Sequence, residues 1–177
     1  MRGLNGGVPL KDDSPPRINT TCQRETDAIQ GFFLRPFFLS CTIGIPFCIY
    51  KILFGLTLWR EGITMGGYLG PAGFVVTTWA VADLMMNSGK SLLDLLHRQA
   101  PFEYCTIAQL GRIAGMPLVF LAFDTLLTFA IICAMLWTGW IATLSAVESI
   151  LWYAATTMNL ISLSLVSLYN EIRNAGN

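Results

Sequence analysis

The sequence predicts an all-α integral membrane protein. It has four transmembrane helices, a polar N-terminal tail and an amphipathic interfacial helix between spans two and three. Three observations predict this class. Hydrophobic residues make up 54% of the chain and charged residues only 12%, against about 25% charged in an average soluble domain. Mean hydropathy is +0.56, and a chain of 177 residues has too little interior to hide that much apolar surface from water. The apolar residues also fall in runs long enough to cross hydrocarbon, which takes about 20 residues per helix.

Residues 1–31 are polar and rich in Gly and Pro, a composition that builds no core of its own. Arg2, Lys11, Arg17 and Arg24 are interleaved there with Asp12, Asp13, Glu25 and Asp27. That mixture lacks the apolar core of a secretory signal, and its acids argue against an Arg-rich transit peptide. The transmembrane domain is expected over 32–177. Span one covers about 32–58, interrupted by Arg35 and Lys51, and span two about 63–86, with Asp83 near its end. The stretch 113–168 holds only two charges, Asp124 and Glu148, and is too long for one crossing. Thr138-Gly139-Trp140 divides it into span three, about 113–137, and span four, about 141–168. Between spans two and three, Asn87-Ser88 is read as a cap. Leu92, Leu93, Leu95 and Leu96 supply an apolar side and Lys90, Asp94, His97 and Arg98 a polar one. This pattern fits a helix lying in the membrane interface and ended by Pro101.

Basic residues set the expected orientation. Nine fall on one side: four in the tail, then Arg35, Lys90, Arg98, Arg112 and Arg173; the opposite loops hold only Arg60. Both termini are therefore expected on the cytoplasmic or matrix side of a bacterial or mitochondrial inner membrane. Trp59, Tyr68, Trp137 and Trp140 then mark the opposite interface. The Asn19 sequon falls on the inner side, where no glycan is expected. Gly66, Gly70 and Gly73 line one face of span two, and Ser40, Gly44, Cys48, Lys51 and Gly55 a similar face of span one. Small side chains let helices approach closely in lipid. Pro71 beside them is expected to bend span two.

Ionisable groups inside a span are costly and invite a functional reading. At 1.5 Å rise per residue, Lys51 and Glu148 both lie about 10 Å from the outer face, a depth at which they would pair. Asp124 falls near mid-membrane, and Asp83 is set aside as lying within reach of water. Three roles suit the deep charges: clamps inside the bundle or to a neighbour, an ion path shared with Asn159, or snorkelling to head groups.

Much chemistry is excluded. Net charge is zero, leaving no basic excess for nucleic acid. Five cysteines form no CxxC pair, so neither a zinc site nor a disulfide framework is expected. His97 alone cannot hold a bis-histidine haem. Gly89-Lys90-Ser91 resembles the end of a phosphate-binding loop, but Leu84 stands where that loop needs glycine. A lipid-modifying enzyme would draw on Asp83, Asp94, His97 and Arg98, whose spacing matches no catalytic pattern. What is left is a non-catalytic accessory or assembly subunit of a larger membrane complex, of the energy-transducing (respiratory or photosynthetic) kind. Its expected partners are other membrane subunits and the bilayer, with no cofactor of its own, though bound lipid suits it. The alternative is a small oligomeric transporter or channel using the intramembrane carboxylates.

Overall fold

The computed structural model describes residues 36–96, 98 and 101–175; the tail expected over 1–31 and His97 lie outside them. The described chain is all-helical, with four helices long and apolar enough to cross a membrane. It runs through α1 (Pro36–Leu39), a π-helical turn (Ser40–Gly44), α2 (Ile45–Met65), α3 (Leu69–Leu95), the short α4 (Thr106–Ile113), α5 (Pro117–Trp137), a 3-10 turn (Trp140–Thr143) and α6 (Ala146–Ala175). Pro46 explains the π turn: with no N–H it removes one i→i−4 bond, and the ladder widens just before it.

Several boundaries move from the sequence expectation. Arg60 is not in a loop, because α2 continues to Met65 and breaks only at Gly66-Gly67, both at positive φ. Gly66 is therefore a turn residue and not part of the small-residue face of span two. Pro71 sits in the first turn of α3, where a missing N–H costs nothing, and so lies outside the helix interior where a proline kinks. The helix runs on through Gly89 and meets no proline before Pro101, so residues 87–95 prolong α3 and do not form a separate interfacial helix. The short helix between the second and third spans is α4 instead. The division at Gly139 stands: it adopts φ 72 just past the end of α5.

Helix α2 is the hub. Its most apolar window is 39% buried, against 22% for α3 and α5 and 17% for α6. One face takes α3 at very short range. A Cβ added at Gly73 would lie 2.7 Å from the Gly55 carbonyl oxygen, and one at Gly62 would run into the backbone of Leu69 and Gly70. Gly73 is thus a point of close approach, whereas a Cβ at Gly70 would rest in ordinary contact 3.7 Å from Gly62. The opposite face carries the apolar core, in which Tyr50, Leu53, Met135, Trp152 and Ala155 join α2 to α5 and α6. Tyr50 meets Trp152 edge-on at 4.8 Å and donates to Thr156 Oγ1 at 2.9 Å.

Replacing Gly73 by Val forces α2 and α3 apart, and a fall of several degrees in the thermal midpoint in detergent is expected. Gly89→Ala, whose new methyl would rest in ordinary contact 3.5 Å from Phe102, is expected to hold or raise the midpoint, since alanine favours a helix interior over glycine. Circular dichroism melts check both, and equal midpoints for the two variants would contradict the close α2–α3 packing.

Candidate functional site: a lysine between two carboxylates beside a cavity

Lys51 lies on the α3-facing side of α2, one turn before Gly55. Lys51 is 1% exposed and its ammonium lies 3.1 Å from Asp83 Oδ2 and 2.5 Å from Asp124 Oδ1. Three helices meet in this cluster, because Asp83 comes from α3 and Asp124 from α5. The Trp79 ring covers the ammonium at 4.7 Å, an arrangement that adds cation–π attraction. Asp83 is fully buried and held from its other side. Its Oδ1 accepts from Thr106 N–H at 2.8 Å and from Thr106 Oγ–H at 2.7 Å. The first residue of α4 is thereby fixed to the middle of α3. Trp79 Nε1–H donates to the same Thr106 hydroxyl at 2.6 Å.

The expected Lys51–Glu148 pair does not form. The fourth span starts at Ala146 and not Ile141, so Glu148 lies in the first turn of α6. It closes a reciprocal cap there. Ser145 N–H donates to Glu148 Oε2 at 2.8 Å, and Glu148 N–H donates to Ser145 Oγ at 3.4 Å. Its carboxylate takes both arms of Arg60, at 2.9 and 2.5 Å, in the fork geometry that favours arginine. Arg60 is 52% exposed, so solvent screens this pair and its contribution is modest. Asp83 is corrected in the opposite sense. With α3 reaching Leu95 it lies about 18 Å from that end of the helix, well beyond easy reach of water.

Both corrections had signals in the sequence. Ser145-Ala146-Val147-Glu148 is the S-x-x-E pattern of a helix start. Ala80, Asp83, Asn87 and Ser91 repeat at helical spacing past residue 86, and all four are buried. Asn159 is half-buried on α6 and forms no hydrogen bond with the Lys51 cluster.

Beside the cluster lies a cavity of about 410 Å³ between the π turn, α2, α3, Tyr104–Cys105 and α5. Lys51, Asp124, Cys48, Ser40, Asn87 and Tyr104 contribute polar groups to its lining, and Phe47, Ile43 and Leu121 apolar ones. Ser40 donates to the Asn87 side-chain oxygen, and Ser91 Oγ–H donates to the Asn87 carbonyl oxygen at 2.8 Å. Tyr104 donates to Asp94 at 3.3 Å, beneath the Lys90 ammonium 3.9 Å above its ring. Lys90 also pairs with Glu103 at 3.1 Å, fastening the segment after α3 back onto its last turns. Burial pushes the Cys105 thiol up to about 11, which keeps it uncharged at neutral pH. Among the described residues, no group of three or more His, Cys, Asp and Glu side chains is placed to hold a metal ion.

No family model matches this chain, and neither curated proteins nor solved structures give a significant match. The site therefore has to be read from its own geometry.

Burial, with Asp94 and Glu103 nearby, raises the Tyr104 phenol to about 12, above the usual value near 10. A raised folded-state value means that folding favours the neutral phenol. Its contribution to stability is complete below about pH 10 and is lost as pH rises toward about 12. Ultraviolet titration is expected to show one tyrosine ionising later than a free phenol, and Tyr104→Phe is expected to remove that late step.

Proposed function

We propose that this chain is a non-catalytic accessory or assembly subunit of a larger membrane complex, with energy-transducing complexes (respiratory or photosynthetic) as the host class. The observation that carries the reading is the open arrangement around α2. Helices α3, α5 and α6 each pack on α2, while direct packing among these three is slight, so the grooves between them are left to lipid or to other chains. Polar groups on α6 add to this. Ser162 Oγ is buried without a hydrogen-bond partner, and Asn159 makes no hydrogen bond among the described residues. An unsatisfied polar group in a span favours a contact with a neighbouring helix. Lys51 is paired with Asp83 and Asp124, and Glu148 with Arg60, so these charges need no partner chain, and the polar residues of α6 argue for one instead. The host class rests on the frequency of small multi-span subunits in such complexes, which is analogy. In this reading both termini face the cytoplasm or matrix, following the excess of basic residues, in a bacterial or mitochondrial inner membrane.

A second reading, an oligomeric transporter or channel using intramembrane carboxylates, is favoured by one observation: Asp124 borders a cavity. Glu148 no longer belongs to such a path, since Arg60 holds it at the start of α6.

One preparation separates the two. Solubilised gently from its native membrane, the chain is expected to migrate on native gels with other membrane subunits, and the chain purified alone, reconstituted in liposomes, to pass no protons or ions. A stable solitary species whose flux is abolished by Asp124→Asn would overturn the subunit reading in favour of the transporter.

A further inference from the structure

We propose that the cavity beside Lys51 binds a small organic cation, a protonated amine seated on the Asp124 carboxylate with its apolar body against Phe47, Ile43 and Leu121. The argument begins with the charges. One ammonium and two carboxylates leave the cluster one negative charge in excess. Asp83 is saturated: Lys51 and both donors of Thr106 point at it. Asp124 is only 5% exposed, yet its sole donor among the described residues is Lys51, on Oδ1. Its Oδ2 takes no hydrogen bond, and Asp124 lines the cavity. A carboxylate oxygen left open to a cavity without a donor is free to accept from a ligand, and a cationic N–H donor is the partner its charge favours.

The remaining walls fit the same ligand class. Lys51 spends its ammonium on the two aspartates and lies beneath Trp79, so it offers an anion little. Cys105 stays neutral and adds no competing charge. The cavity volume of about 410 Å³ falls in the range of small-molecule sites, which are mostly apolar with a few placed polar groups. Ser40, Asn87 and Tyr104 supply further hydroxyl and amide groups to the lining, with Asn87 one turn of α3, about 6 Å, beyond Asp83. This inference does not rest on the assembly reading: a chain that travels alone has the same cavity, and a chain in a complex need not have it filled.

The test uses the full chain in phosphatidylcholine nanodiscs at pH 7, with phenethylammonium as probe. Isothermal titration is corrected with empty nanodiscs. Saturable binding of one amine per chain is expected, at least tenfold tighter than that of the anion 3-phenylpropionate or the neutral 2-phenylethanol. Asp124→Asn is expected to weaken it at least tenfold. Cys48→Leu, which fills the cavity beside Lys51 and leaves every charge in place, is expected to do the same, and it decides the matter if Asp124→Asn does not fold. Competition by added phosphatidylethanolamine would identify a lipid amine as the natural source, and its absence a soluble one. Equal affinity for the three probes, or amine binding unchanged in folded Cys48→Leu, would overturn the proposal.

Discussion

A lysine buried between two aspartates governs this molecule. Removing three charged groups from water costs several kcal/mol for each ion, and their attraction offsets that only when the geometry is good. Here the geometry is supplied by helices far apart in sequence: Lys51 on α2, Asp83 on α3 and Asp124 on α5. None of them has an adequate partner unless all three helices are in register. Losing one partner from such a cluster typically costs about 3–5 kcal/mol, so the cluster discriminates strongly against misaligned packings of otherwise interchangeable apolar rods. It also reaches beyond the spans, since Asp83 fixes the first residue of α4, and through it the segment that roofs the cavity.

Packing around the hub follows from side-chain size. Lipid is as apolar as leucine, so these helices gain little by merely hiding apolar surface from one another. Close approach has to supply the attraction, and glycines at 55, 62 and 73 allow it between α2 and α3. Against α5 and α6 the hub uses aromatic and thioether contacts. The ion cluster and the cavity lie along the same side as α3, from Lys51 back toward Ser40. A helix packed by three others is well buried, whereas its neighbours keep broad outer surfaces. The proposal of a partner complex starts from that asymmetry.

The class of fold was legible because it depends on summed composition and run length, which no local error disturbs. The turn at Gly139 was legible because a left-handed residue past a helix end favours glycine. Pairing of the charges was not, because it hung on where helices start and stop. Placing the start of the fourth span at Ile141 made Glu148 seem deep, although Ser145 and Glu148 together spell a helix cap. Ending the second span at Met86 made Asp83 seem shallow, although no proline follows before Pro101 and Asn87 and Ser91 continue the buried stripe. An error of one to three turns in a boundary moves a charge by about 5–15 Å, enough to exchange one partner for another. Which of several carboxylates reaches Lys51 is a question of rotation and register between helices, and the pattern along one chain leaves that open.

Double-mutant cycles on Lys51 test the pairing most directly, measured by unfolding in micelles with Lys51→Met combined in turn with Asp83→Asn, Asp124→Asn and Glu148→Gln. The observed geometry predicts coupling of at least about 1 kcal/mol with each aspartate, as for side chains in contact. It predicts additivity within about 0.5 kcal/mol for Glu148. Strong coupling of Lys51 to Glu148, with additive behaviour toward Asp83 and Asp124, would contradict it.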